Sequence, residues 1–312
     1  MTPEEYAAAQ TVISAQTAAY VAQFGKFFLN PLLTAAEWLA FLQLLYPQVK
    51  QARDQSAELA RTFYDSQRQL HVPEAGVNRQ PLEHYQFDWF VQNMEPVRML
   101  MVRENASPTA AGHLSAAAVR EVENAGRRQI IGMVINDPGL ATVTKLPTGK
   151  PGKPDQGKPG TVTNLVRGWA RVATGRETCA WCLMLVSRGP VYAKPGNAGL
   201  DLSATEAQQK IGLGTDVSEF MTQWHVGCDC KVVPVFRNNN WPGFEAQQTA
   251  EQHYITASRR ASAELKANPD KKYYSHTLGR WEPTTENRET VNQLRQMIES
   301  GEITTDWAAI AA

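Results

Sequence analysis

The chain has 312 residues, and 31 lysines and arginines balance 31 aspartates and glutamates, so the formal net charge is zero. A neutral chain lacks the positive surface with which a protein binds nucleic acid or anionic membrane over its whole area. Hydrophobic residues make up 43% and charged residues 20% of the chain, which is ordinary globular usage and argues against wholesale disorder.

The chain also lacks the signals of secretion or membrane insertion. Its first residues, Met-Thr-Pro-Glu-Glu, contain no basic region of a secretory signal. The richest apolar run, residues 38–46, falls far short of the roughly 20 residues that span a bilayer. We therefore expect a soluble protein, made in the cytoplasm, without membrane contact.

The first 138 residues predict a helical region. Thr2 and Thr34 each precede a glutamate by three residues, the spacing of a capping box at the start of a helix. The second helix is expected to run to about Leu70, with a kink or restart at Pro47. Apolar residues lie on one face of its first turns at helical spacing: Trp38, Phe41, Leu42 and Leu45.

Two more helices are predicted before the helical region ends at residue 138. One covers residues 82–104, with a break at Pro96, and the other covers residues 115–136. Their alanine-rich faces suit two arrangements. The helices form either a bundle that packs on itself or an elongated arm that contacts other subunits.

Residues 139–160 predict a linker. Residues 147–160 contain four prolines and four glycines, which excludes a helix or a central strand. Three lysines in the same stretch leave open a contact with phosphate groups, although a solvated hinge is the simpler interpretation. Residues 151–240 carry ten basic and seven acidic side chains, a mildly basic balance.

The rest of the chain predicts a small α+β domain and a helical tail. Within residues 161–240 we expect strands over 166–174 and 231–236, and a short helix over 202–211 that is capped by Ser203. The apolar run 180–187 suits a helical turn or a strand. Residues 241–312 predict helices over 244–265 and 285–300, with a turn at 268–272. The predicted fold class is α+β, mainly α.

All four cysteines fall in two close pairs, and a histidine precedes the second pair. Cys179-Ala-Trp-Cys182 brings two thiols to one side of a tight turn, and His225-Val-Gly-Cys228-Asp-Cys230 offers three more ligands. Zinc takes four tetrahedral ligands of sulfur or nitrogen type. These five candidates predict a structural zinc site with one residue to spare. Disulfides, buried free thiols and a redox or catalytic thiol stay open as alternatives.

No catalytic motif accompanies these cysteines. The chain contains no His-Glu-x-x-His, no Gly-x-Ser-x-Gly, no Walker-type loop and no deaminase His-x-Glu. The other histidines are scattered. We expect no catalytic residue, no organic cofactor and no small-molecule substrate, so the protein is not expected to be an enzyme.

The sequence around the cysteines resembles the Mu F-like minor capsid (head morphogenesis) proteins of tailed bacteriophages, in particular the actinobacterial-phage branch. Residues 171–192 contain the Cys-x-x-Cys segment and end in Arg-Gly-Pro-Val-Tyr, and residues 225–236 contain His-x-x-Cys-x-Cys before a short strand. Relatives commonly have a proline and an arginine where this chain has Val226 and Asp229. The loss of that positive charge weakens any implied contact with nucleic acid.

The resemblance implies a structural role in the virion. Such proteins lie in a few copies inside the capsid, associate with the portal protein and aid head assembly or genome delivery. Expected partners are therefore the portal protein and the major capsid protein, with packaged DNA as a further candidate. The expected location during assembly is the host cytoplasm. The alternatives are a metal-dependent enzyme (hydrolase or toxin-like) and a nucleic-acid-binding module that uses the Cys/His site.

Overall fold

The computed structural model describes residues 1–28, 34–73, 77–103, 110–137, 168–174, 178–190, 200–221, 224, 228, 230–236, 241–275 and 278–304. In these residues the protein is mainly helical and carries two small two-stranded sheets, β1–β2 and β3–β4. The predicted class, α+β and mainly α, is confirmed.

In chain order the helices and strands are α1 (Pro3–Phe28), α2 (Ala35–His71), α3 (Phe87–Arg103), α4 (Ala110–Ile135), β1 (Gly168–Val172), α5 (Ala180–Ser187), α6 (Ala204–Gly212), β2 (Lys231–Val235), α7 (Phe244–Ala267), β3 (Lys272–Ser275), β4 (Arg280–Pro283) and α8 (Glu286–Glu299).

The chain divides into two compact units. Unit 1 comprises Met1–Trp169, Tyr192–Val226 and Val233–Trp241, and unit 2 comprises Ala170–Val191, Gly227–Val232 and Pro242–Ala312. The predicted linker, residues 139–160, lies outside the described residues. The predicted domain boundaries stay predictions.

The helix starts follow the predicted capping residues. Thr34 Oγ1 accepts a hydrogen bond from the Glu37 amide at 3.3 Å, and the Glu37 carboxylate accepts one from the Thr34 amide at 2.7 Å. Ser203 and Glu206 form the same reciprocal pair at the start of α6. Each pair satisfies two amides that would otherwise lack a partner at a helix end.

The predicted restart of α2 at Pro47 and the predicted break of α3 at Pro96 are wrong, whereas a kink at Pro47 stays a prediction. α2 continues through Pro47 to His71, and α3 continues through Pro96 to Arg103. A proline removes one backbone hydrogen bond, but apolar packing on either side of it offsets that loss. In α3 the flanking residues Met94 and Val97 are buried.

The starts of α3 and α4 also differ from the predicted ones. α3 begins at Phe87 rather than residue 82, and side chains of α2 donate hydrogen bonds to the backbone of the segment that precedes it. Arg61 Nη2 donates to the Gln80 carbonyl at 2.5 Å, and the Tyr46 hydroxyl donates to the Tyr85 carbonyl at 2.7 Å. α4 begins at Ala110 rather than residue 115, consistent with the strong helix propensity of alanine.

The first four helices form a bundle around one apolar core. The core joins the predicted stripe of α2 to residues of α1, α3 and α4 that the sequence places far away. Its buried members include Val21, Trp38, Phe41, Leu42, Leu45, Phe90, Met94, Leu114, Ala118 and Val122. These helices therefore pack on one another.

No helix among the described residues is both long and apolar enough to cross a membrane.

Unit 2 packs α5 against α7 and α8. The predicted strands are confirmed as β1 and β2, and the apolar run 180–187 is helix α5. The antiparallel hairpin of β3 and β4, which pairs Tyr274 with Trp281, was not predicted. Its strands have four residues each and are half exposed, so they lack a strong apolar alternation.

Candidate metal centre

The first cysteine pair is organised by the start of α5. Cys179 is the residue that caps this helix, and its Sγ accepts a hydrogen bond from the Cys182 amide at 3.4 Å. The Cys-x-x-Cys sequence therefore forms the first turn of the helix and holds both sulfur atoms at one end of it. Four apolar residues that follow Cys182 are buried and anchor the turn in unit 2: Leu183, Met184, Leu185 and Val186.

The second pair meets the first beside β2. Cys230 directly precedes Lys231, the first residue of that strand. The Sγ atoms of Cys182, Cys228 and Cys230 all lie within 4.8 Å of one another, and those of Cys182 and Cys228 are 3.5 Å apart. The three residues are 1%, 4% and 0% exposed. None of the four cysteines, all of which lie among the described residues, forms a disulfide in this structure.

This spacing fits a zinc ion. Two sulfur atoms that each lie near 2.3 Å from one ion at a tetrahedral angle are about 3.8 Å apart. The three thiols approach that separation, since their sulfur atoms all lie within 4.8 Å of one another. Soft sulfur donors select zinc and similar ions over magnesium or calcium. The donor set therefore supplies three corners of a tetrahedral site.

The electrostatics of the cluster depend on whether a cation is bound. Hydrogen bonding to Cys179, and then to Cys228 and Cys230, together with burial, raises the pKa of the Cys182 thiol far above its usual range. A coordinated divalent cation reverses this preference, because a coordinating thiol is deprotonated. The cluster is thus favourable either as neutral thiols or as thiolates around a cation.

The structure brings together three of the five predicted ligands. Cys179 contacts Cys182 but is not a member of the mutual group. His225, Val226 and Asp229 lie outside the described residues. The choice between zinc and disulfides stays a prediction for these cysteines.

Two basic side chains of unit 2 are buried, which the sequence did not predict. Arg171 on β1 is 1% exposed, and Lys231 on β2 is 5% exposed. At the level of sequence, both residues contributed only to the mildly basic balance of residues 151–240. Their position within short apolar strands was the signal of burial, since a strand that is buried on both faces also buries its charged residues.

The chain is similar to one protein family model and to proteins of two mycobacteriophages. Residues 161–257, which contain both cysteine pairs, match the family model described as VG15 protein. The chain is 43% identical to the gene 15 protein of Mycobacterium phage L5 over the full length of both chains. It is 41% identical to the gene 15 protein of Mycobacterium phage D29, over 96% of this chain and all of that relative.

These matches make the chain a bacteriophage protein. It belongs to the gene 15 protein family of mycobacteriophages. No solved structure matches the chain. The more specific Mu F-like assignment stays a prediction.

Proposed function

We propose that this protein is a structural minor capsid protein, located inside the capsid and associated with the portal, that aids head assembly or genome delivery. Its membership of a mycobacteriophage family supports a role in the phage. The two cysteine segments, residues 171–192 and 225–236, support the finer role because they resemble the Mu F-like minor capsid proteins in motif and order.

The observation that carries a structural rather than enzymatic role is the burial of the cysteine cluster. Catalytic zinc sites keep one position open to water and substrate, whereas structural sites are closed by protein ligands. Cys182, Cys228 and Cys230 are at most 4% exposed, which supports a closed site. We therefore propose that the cluster holds a structural zinc ion and that the protein is not an enzyme.

The outward face of α1 is the proposed contact surface for the portal or major capsid protein. Residues 6–25 contain no charged side chain, although half of this helix faces outward from the bundle. Val12 is 54% exposed and Tyr20 is 36% exposed. Three exposed alanines continue the face at helical spacing: Ala8, Ala15 and Ala19. A long exposed face without charge suits close packing against another helix.

Contact with packaged DNA has less support from this chain. The net charge is zero, and residues 6–25 of α1 include no basic residue that would pair with phosphate. The lysines of residues 147–160 are the candidates for a contact with DNA phosphate groups. DNA is therefore the last of the proposed partners.

Mass spectrometry of purified virions tests the proposed location. The expected result is a few copies of the protein per particle. Absence from the particle, or an abundance that equals that of the shell protein, would refute the minor capsid role.

A pair of variants tests the proposed contact surface in a phage that lacks its own gene 15. Val12→Glu places a charge on the outward face of α1 and is expected to abolish incorporation without unfolding the protein. Gln248→Glu adds the same charge to an exposed position of α7 and is the control, expected to be incorporated normally. Normal incorporation of Val12→Glu would exclude this face as the contact.

A further inference from the structure

Cys182 and Cys228 lie close enough to form a bond with each other. Their Sγ atoms are 3.5 Å apart and a disulfide needs about 2.05 Å, so each sulfur would move by only about 0.7 Å. Rotation about one side-chain bond of each cysteine allows such a shift. The two residues are 46 positions apart, so the bond would be a long-range cross-link within unit 2.

Two pairings between neighbours in the sequence compete with this cross-link. Cys228 and Cys230 are separated by one residue, so a bond between them would force the backbone to turn back on itself just before β2. Cys179 and Cys182 form the Cys-x-x-Cys turn at the start of α5, where a disulfide is sterically allowed. The Cys-x-x-Cys pair is therefore the stronger competitor.

Thiol–disulfide exchange decides against that competitor. If Cys179 bonded Cys182 first, the Cys228 sulfur would lie beside the Cys182 sulfur and would displace Cys179 as a thiol. The Cys-x-x-Cys disulfides of redox proteins are more easily reduced than long-range structural disulfides. The exchange therefore favours the bond between Cys182 and Cys228.

We propose that Cys182 and Cys228 form a redox-controlled cross-link that replaces the cation in the metal centre. With a peroxide as the oxidant, one thiol becomes a sulfenic acid and one water is released. The other thiol then displaces a second water as the S–S bond forms, so two thiols and one hydrogen peroxide give one disulfide and two waters. Starting from the metal-bound state, the two thiolates also take up two protons. Both lose their capacity as ligands, because the thiolate is the species that binds a metal.

The two states of the centre would fix the same part of the fold. Cation and disulfide each join the start of α5 to the segment before β2. A reducing compartment favours the thiolates and the cation, and an oxidising medium favours the disulfide. The exchange of cation for disulfide rests on the structural zinc proposed above, whereas the cross-link itself depends only on the sulfur geometry.

Peptide mapping of the reduced, metal-free full-length chain tests the cross-link. One equivalent of hydrogen peroxide is added, the remaining thiols are alkylated, and the chain is digested with trypsin without reduction. Trypsin leaves the first cysteine pair in residues 177–188 and the second pair in residues 211–231. The expected product joins these two peptides. Disulfides confined to the separate peptides would overturn the proposal.

The same reaction in denaturant is the control for the fold. In an unfolded chain the residues closest in sequence meet most often, so bonds within each peptide are expected to dominate there. An equal yield of the joined peptides in the folded and the denatured chain would show that the fold does not direct the bond, and would overturn the proposal.

Matched variants identify the two sulfur atoms. Cys179→Ser and Cys230→Ser should keep the cross-link, and Cys228→Ser should lose it. A cross-link that persists in Cys228→Ser and disappears in Cys230→Ser would make Cys230 the partner of Cys182 and overturn the assignment. If a variant fails to fold, fragment-ion spectra of the joined peptides from the unaltered protein give the same assignment.

The zinc-loaded chain tests the exchange. Peroxide should release zinc to a coloured chelator in proportion to the cross-link that forms. A cross-link that forms without release from a zinc-loaded chain would overturn the exchange and leave the zinc proposal intact. A reduced chain that binds no zinc would refute the zinc proposal and the exchange with it, and the peptide map would still decide the cross-link.

Discussion

Replacement of Asp137 by alanine should strongly destabilise the helical bundle of unit 1. The Asp137 carboxylate follows the end of α4 and its side chain is fully buried. It accepts hydrogen bonds from Tyr64 Oη at 2.8 Å, from Arg68 Nε at 2.6 Å and Nη2 at 3.0 Å, and from Asn78 Nδ2 at 3.2 Å. One residue thus joins α2 and the segment before α3 to the end of α4.

The magnitude follows from the charge that the substitution leaves behind. The Arg68 side chain is only 7% exposed, so Asp137→Ala would leave a buried guanidinium without its carboxylate. Breaking a buried ion pair in this way costs about 3–5 kcal/mol. Tyr64 stays a donor throughout the working pH range, because burial and then the Asp137 charge raise the pKa of its hydroxyl well above the usual 10.0.

Denaturant unfolding and hydrogen exchange would measure this effect. Exchange is needed because a chain with two compact units need not unfold in one step. The loss of protection should be concentrated in α2 and α4. Asp54→Ala is the control: its carboxylate forms a more exposed pair with Lys50 four residues earlier, and about 0.3–0.5 kcal/mol is expected. A loss below about 1 kcal/mol for Asp137→Ala would refute the reasoning.

Three further predictions concern single residues. Pro47→Ala should stabilise unit 1 by up to about 3 kcal/mol in thermal unfolding, because it restores a helical hydrogen bond at an exposed position of α2. Destabilisation would show that the packing of α2 depends on the proline. Leu294→Ala should cost unit 2 about 2–5 kcal/mol, because Leu294 is fully buried in α8, and an unchanged midpoint would argue against that packing. Burial disfavours the charge of Glu289, but hydrogen bonds from Gln293, Lys271 and Asn292 outweigh it and hold the pKa of this carboxyl below the usual 4.5. The pKa of Glu289 is therefore lower in the folded than in the unfolded chain. Its contribution to the stability of unit 2 is present above pH 4.5 and is lost as the pH falls through the folded pKa. Glu289→Gln should remove this loss from the dependence of unfolding on pH.

Most of the local structure was predictable because its causes lie within a few residues. Capping pairs such as Thr34 with Glu37 satisfy helix ends by bonds between residues three apart. Apolar spacing then identified the buried face of α2, and the Cys-x-x-Cys spacing identified the turn at Cys179. The short hairpin β3–β4 was not predicted from the sequence, because its strands have only four residues each and are half exposed.

The candidate site was predictable in composition but not in arrangement. Sequence spacing named four cysteines and one histidine as candidate ligands, since closely spaced cysteines with a nearby histidine are typical of zinc sites. It did not distinguish which of them meet. The approach of Cys182 to Cys228 joins residues 46 positions apart, and it depends on the tertiary fold of unit 2, which contains both residues.

The sequence by itself therefore determined most of the helices, their caps and the residue types of the candidate metal centre, because those depend on neighbours along the chain. Only the tertiary structure decided which charges are buried. Arg53 is 1% exposed in the bundle because its guanidinium bonds Glu83 at 2.7 Å and the Glu121 backbone, 68 residues away. The burial of an ion is tolerable only beside such partners, and partners that are distant in sequence are brought together by the fold alone.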